Sequence, residues 1–358
     1  MTETIRPTDK TRRDFLSELL ACGAGAAALN FAGVTVAAQP RPDWKSQIGL
    51  QLYTVRDLLT EGSRFDGVLT KVAAIGFKEV EPTGYGNIAP KEFRAMLDRH
   101  GLRMPSTHAG LRGTAAEMEK QLEGLQIMGA KYSTVAAEAA PGAARGGGAA
   151  GAAGGGRGGA PSGAPASVLI RNGFTQAENS GPNQQRMTLE TAQRRAAHLN
   201  ASGKIAQKFG IKVFHHNHTI EWEKLLDSDR TLYDVLLAET DPSLVTMQLD
   251  IGWARVAGAD PIALFEQHPG RFELWHVKDV FGLKTINPAL SPNARISSTS
   301  LVPIGAGHVD YERIFQFTKV TGLKHFSLDH GNAASWGDSL TAARVSYEAL
   351  VKIVSQAA

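Results

Sequence analysis

Four apolar, strand-like runs in this chain each end in a side chain of a metal-binding type. They are His216 in KVFHHN, Asp250 in TMQLDI, His276 in FELWHV and Asp329 in HFSLDH. The spacings of 34, 26 and 53 residues fit successive strand–helix units. Parallel strands need crossovers of a dozen or more residues, usually a helix, so this rhythm points to a parallel sheet. In a closed barrel of such units the carboxyl ends of the strands share one mouth, where the active site is built. Two imidazoles and two carboxylates at that mouth are a set suited to one divalent ion.

Eight strand candidates follow in order: 48–53 (IGLQLY), 77–82 (FKEVEP), 104–110 (MPSTHAG), 132–137 (YSTVAA), 212–217, 246–251, 272–278 and 325–330. Helical patterns lie between them at 64–76, 90–101, 115–129 and 189–210, several ending at glycine, the common helix stop. The units GLRMP, GIKVF and GLKHF repeat one helix–Gly–strand joint. Eight alternations predict an α/β chain folded as a single (β/α)8 barrel, over 46–356. Residues 141–166 break the rhythm, being nearly all Gly, Ala, Pro and Ser. Such a segment cannot bury enough apolar surface to offset its ordering entropy, and it reads as a flexible insertion after strand four. Residues 280–303 read as a second irregular loop, after strand seven.

The chain has 358 residues, 42% hydrophobic and 20% charged, enough for a substantial core. A net charge of +3, with no dense Lys/Arg block interleaved with aromatics, argues against nucleic-acid binding. Cys22 is the only cysteine, which excludes an internal disulfide and a Cys-based zinc site. No segment approaches the roughly 20 apolar residues of a membrane span. Association of copies into a homo-oligomer is compatible with the chain.

The first 38 residues read as an export signal. TRRDFL (11–16) precedes a weakly apolar Ala/Gly-rich stretch that ends at VAAQP (36–40). Paired arginines and small residues before a break resemble a twin-arginine signal, with cleavage after Ala38. Leu-Leu-Ala-Cys at 19–22 resembles a lipoprotein box, but Glu18 interrupts its short apolar run. The expected location is periplasmic or secreted. Phosphorylated metabolites are mainly cytoplasmic, so an exported enzyme is expected to act on an unphosphorylated substrate.

Several residues have two readings. His216 belongs to HHNH (215–218), where alternation puts His216 and His218 on one face and His215 on the other. Asp250 is a candidate ligand or a helix cap. Lys278 shares the face of His276, where its cation could stabilise an enolate or alkoxide oxygen. Asp329 is a ligand or a turn residue. Glu81 and His108 end strands two and three and face the same mouth, and His108 can serve as acid or base near neutral pH. Tyr53 and Trp253 could stack on a sugar ring or pack the barrel. IGAGHVDY (304–311) holds G-x-G without a third glycine at dinucleotide spacing, and no P-loop or nucleophile-elbow motif occurs.

IGLQLYTVRD (48–57), FHHNHTIEW (214–222), LDIGWARVAGADP (249–261), HPGRFELWHVKD (268–279), IGAGHVDY and HFSLDH together resemble the xylose isomerase-like TIM-barrel family, also labelled sugar phosphate isomerase/epimerase. The chain resembles the exported twin-arginine branch of that family. The resemblance implies one divalent ion (Mn²⁺, Mg²⁺, Co²⁺ or Zn²⁺) held by His216, Asp250, His276 and Asp329. It implies isomerisation or epimerisation of a sugar through an enediolate, with lyase or dehydratase chemistry on a 3-keto sugar or glycoside, as in inosose dehydratase-like relatives, as the rival. Epimerases of the family use two glutamates as ligands and proton carriers, where this chain has His216 and Asp329. Proton transfer would then fall to His108, Glu81, His218 or Lys278. A non-catalytic sugar-binding barrel is a third reading. An endonuclease IV-like phosphodiesterase shares the barrel but needs more ligands and a basic groove.

Overall fold

The computed structural model describes residues 43–59, 65–136 and 186–356. The segment read as an export signal (1–38), Cys22 and the Gly/Ala-rich segment 141–166 lie outside the described residues. Eight strands form one sheet: β1 (Ile48–Gln51), β2 (Glu79–Glu81), β3 (Ser106–Leu111), β4 (Tyr132–Val135), β5 (Lys212–His216), β6 (Val245–Asp250), β7 (Leu274–Val277) and β10 (His325–Leu328). Their order is β2-β1-β10-β7-β6-β5-β4-β3, and every pairing is parallel. The two edges meet where His108 N and Thr107 Oγ1 donate to Pro82 O at 2.8 and 3.0 Å. The result is a nearly closed (β/α)8 barrel.

Alternation along the strands divides the barrel into two shells. On β6 and β7 the outward residues Val245, Met247, Leu249, Trp275 and Val277 join the large core between strands and helices. The inward residues are mostly polar near the strand ends, above a small apolar layer of Tyr132, Phe214 and Leu274. At the amino ends of the strands, Lys212 and Tyr132 both bind Glu273, at 2.6 and 2.8 Å, and His325 pairs with Glu79 at 2.9 Å. That cluster is internally satisfied and closes the bottom of the barrel.

The four helical patterns are the helices Phe65–Ile75, Pro90–Arg99, Ala115–Met128 and Leu189–Gln207. The three helix–Gly–strand joints turn through Gly101, Gly210 and Gly322, with φ between 63° and 73°. Several strands are shorter than the sequence suggests. Beyond Gln51 the chain enters a 3₁₀ stretch, Leu52–Leu58, because Gln51 Oε1 caps it by accepting from Tyr53 N. The segment 280–303 is not wholly irregular. β8 (Asp279–Phe281) and β9 (Ser300–Val302) form an antiparallel hairpin there, and Val280 is buried with Trp253 and Val256. Among the described residues no helix is long and apolar enough to cross a membrane.

Candidate active site

The inward polar residues of β2, β3, β5, β6 and β7 meet at the carboxyl end of the barrel. Gln51, Tyr53, Thr83, His108, His216, His218, His276 and Asp329 line a narrow cleft. At its base Asp250, His276 and Asp329 each offer a ligand atom within 4.8 Å of the others. His276 Nδ1 lies 3.8 Å from Asp250 Oδ2 and 3.4 Å from Asp329 Oδ2. His216 Nε2 lies 3.9 Å from Asp250 Oδ2, and His216 also forms a second three-residue group with His108 and His276. The structure therefore brings the four sequence candidates together.

Asp250 is a helix cap that keeps one oxygen toward the cleft. Its Oδ1 accepts from Trp253 N at 2.8 Å and so caps the helix Ile251–Ala257, while Oδ2 faces the cleft base. Lys278 Nζ reaches the same base, 2.9 Å from Asp250 Oδ2 and 2.7 Å from Asp329 Oδ2. Three features hold it there. Tyr311 Oη accepts from Lys278 N and donates to Lys278 O at 2.7 and 2.8 Å. The Trp253 ring lies 4.6 Å from Nζ. A Cβ at Gly252 would sit 2.6 Å from Lys278 O, so only glycine fits the LDIGW motif at this approach. Trp253 is thus placed behind Lys278, packed on Val256 and Val280, and is not among the cleft-lining residues. Tyr53 does line the cleft, with Arg56 stacked 4.2 Å from its ring.

Glu81 is the hub of the site. It is fully buried and accepts from Gln51 Nε2 (2.9 Å), Ser106 Oγ, Gln248 Nε2 (2.7 Å) and His276 Nε2 (2.5 Å), with His108 Nε2 at 3.1 Å. A carboxylate behind a histidine nitrogen fixes the ring and leaves the other nitrogen for a ligand, the usual support for a metal-bound imidazole. Burial acts to raise the Glu81 pKa, but His108 and His276 outweigh it and hold the carboxyl well below its usual range. Burial opposes a charged His276, yet Glu81 and Asp329 raise it to about 9. Burial, reinforced by the neighbouring His276, holds His216 well below its usual range. His218 is lowered to about 4, mainly by burial. Burial raises Asp250, whereas Lys278 and His276 overcome burial at Asp329 and hold it well below the usual range. Asp250 and Asp329 likewise overcome burial at Lys278 and raise it.

The donor set fits a divalent cation. Two carboxylates and an imidazole nitrogen converge, the far imidazole nitrogen is anchored, and a cationic group already sits between the carboxylates. A bound ion would take the place of the His276 Nδ1 proton and share the two carboxylates with Lys278, so loading would release protons. Removing the ammonium should expose the electrostatic cost. Lys278→Met is expected to destabilise the metal-free protein by about 3–5 kcal/mol, the usual cost of breaking a buried ion pair. Divalent metal should recover most of that loss. Melting with and without Zn²⁺ checks it; a variant that melts like the parent in chelator would contradict the ion-pair role.

Gln51, Thr83, Ser106 and Gln248 are site residues that the sequence reading did not single out. For Gln248 a signal existed, since it shares the inward face of TMQLD with Asp250. The G-x-G of IGAGHVDY also has a structural role. Asp279 accepts from Gly305 N, Gly307 N and Val309 N at 2.9, 3.0 and 3.1 Å. A Cβ at Gly307 would fall 2.1 Å from Asp279 Oδ1. The glycines thus wrap a carboxylate of this chain.

No family model matches the chain. A solved sugar phosphate isomerase/epimerase from Parabacteroides distasonis superposes with a TM-score of 0.61 at 18% identity, covering 92% of this chain and 99% of its own. A xylose isomerase-like TIM-barrel protein from Mycobacterium smegmatis, solved with magnesium, superposes at TM-score 0.54 and 15% identity, covering 87% and 97%. These likenesses show that the chain has the TIM-barrel fold of those proteins. In sequence this barrel matches inosose dehydratase of Clostridium beijerinckii, 28% identical over 141 residues, 38% of this chain and 43% of the relative. The chain spans about two fifths of the length of the curated relatives first matched.

Proposed function

We propose that this barrel is a metal-dependent sugar isomerase or epimerase, acting on an unphosphorylated sugar or keto-sugar through an enediolate. The observation that carries the reading is the convergence of Asp250, His276 and Asp329 at the base of a histidine-lined cleft. Asp250, His276 and Asp329, with His216 Nε2 beside them, would hold the ion. Bound there, a divalent ion supplies Lewis acidity toward adjacent sugar oxygens. His108, at the cleft wall, is the proton carrier for the carbon next to the carbonyl. His218 also lines the cleft, is expected to be neutral at pH 7 and can exchange a proton there. Lys278 supplies positive charge next to the developing enediolate oxygen. Thr83 Oγ1 and His218 Nε2 are buried without hydrogen-bond partners among the described residues, which suits them to meet sugar hydroxyls. Glu81 serves best as the anchor of His276, since its oxygens are already occupied by donors.

A lyase or dehydratase is the second reading, favoured by the similarity to inosose dehydratase. Both reactions begin with the same proton abstraction and differ in whether the enediolate is reprotonated or expels a β-substituent. Incubation of keto-sugars and 3-keto-glycosides in deuterated water separates them. An isomerase or epimerase returns an isomer labelled at the exchanged carbon, and a lyase releases water or aglycone. EDTA is expected to abolish turnover and Mn²⁺ or Co²⁺ to restore it. Tight sugar binding with no exchange at any carbon would make the chain a binding barrel instead. We also propose export by the twin-arginine route, on the strength of TRRDFL and VAAQP. Replacing Arg12 and Arg13 with lysine should retain the chain in the cytoplasm.

A further inference from the structure

His108 and His216 stand on β3 and β5, yet one side-chain oxygen meets both. Gln248 Oε1, on β6, lies 2.7 Å from His108 Nε2 and 3.1 Å from His216 Nδ1. The far end of the same carboxamide fixes which atom is oxygen. It lies 2.7 Å from Glu81 Oε2, and Glu81 is surrounded by donors from Gln51, Ser106 and His276. That end must therefore be the NH₂ group, because an ionised carboxylate only accepts. The opposite end is then a carbonyl oxygen, which also only accepts. Both ring nitrogens facing it must carry hydrogen. His108 Nε2 meets a second acceptor, Glu81 Oε1, at 3.1 Å, which demands the same proton.

We propose that Gln248 is a positioning residue that sets the tautomers of two histidines at once. It holds His216 as the Nδ1–H form and His108 as the Nε2–H form. His216 then presents the Nε2 lone pair toward Asp250, and His108 keeps Nδ1 as its basic nitrogen. The assignment matters because an unconstrained neutral histidine side chain in water favours the Nε2–H form, which would turn a proton rather than a lone pair of His216 toward Asp250. The tautomers follow from hydrogen bonding alone. Their use, as ligand nitrogen in His216 and proton acceptor in His108, rests on the function proposed above.

The test is two-bond ¹H–¹⁵N correlation spectroscopy on the chelator-treated full chain labelled with ¹⁵N-histidine. Signals are assigned with His108→Gln and His216→Gln. The parent is expected to show His216 protonated at Nδ1 with an unprotonated Nε2, and His108 the reverse. Gln248→Met, close in volume but unable to accept, is expected to collapse the His216 pattern toward the Nε2–H form. It should also weaken Zn²⁺ binding, measured by calorimetry, by about 10–100-fold, as loss of a ligand-orienting partner does. An Nε2–H form of His216 in the parent overturns the proposal whatever the variant does. Unchanged tautomers in a folded Gln248→Met variant overturn it as well. No substrate or metal enters these spectra. The predicted tautomers in a protein that turns over no sugar would therefore sink the enzymatic reading alone.

Discussion

Asp250→Asn and His276→Ala are each expected to take the protein from about one bound divalent ion per chain to background and to abolish turnover. The loss should exceed the ~10–100-fold typical of an outer-shell partner, because a ligand itself is removed. Asp250→Asn is the more telling variant. Its remaining oxygen can still accept from Trp253 N, so the helix cap is retained. Only the anionic Oδ2, 2.9 Å from Lys278 Nζ and 3.8 Å from His276 Nδ1, is lost. His276→Ala removes the one residue common to both three-residue groups at the cleft base. Metal analysis of purified protein, paired with turnover on the best sugar, reads the result. Stoichiometric metal in both variants would show that the ion binds elsewhere.

Glu81→Leu is expected to destabilise the protein by about 3–5 kcal/mol, the range seen when one partner of a buried charge pair is removed. The substitution leaves Gln51 Nε2, Ser106 Oγ, Gln248 Nε2 and His276 Nε2 facing an apolar side chain. Each buried donor left unsatisfied costs about 1–3 kcal/mol before relaxation. Glu81→Gln should lose less, since one of its two ends still accepts. Urea unfolding in chelator measures the difference without the contribution of a bound ion. A loss for Glu81→Leu below about 1 kcal/mol, the level of an exposed ion pair, would contradict the hub role.

Much of the barrel is legible in the chain because its signals are local. The apolar runs that become β5, β6, β7 and β10 are continuous, since helices cover the outer face of each strand. The joints at Gly101, Gly210 and Gly322 mark where helices stop, and the three glycines adopt positive φ. The hairpin of β8 and β9 was not legible. Its strands are three residues each, separated by 3₁₀ turns, and it depends on Val280 packing against Trp253 and Val256. Trp253 illustrates the same limit. Its ring could equally face a sugar or the barrel wall, and the approach of Lys278 places it at the wall.

The sequence by itself determined which polar residues end which strands, and with them the ring of candidate ligands. Strand alternation and the fixed direction of parallel strands bring such residues to one mouth without further information. The tertiary structure alone decided what each residue faces. Glu81 and His276 are 195 positions apart and Gln248 and Glu81 are 167 apart, yet they form one hydrogen-bonded unit. No local pattern encodes such a partnership, because it depends on the register of strands brought together only when the barrel closes. That closure makes Glu81 an anchor, sets Lys278 between two carboxylates, and gives Gln248, a residue with no motif of its own, contact with two histidines.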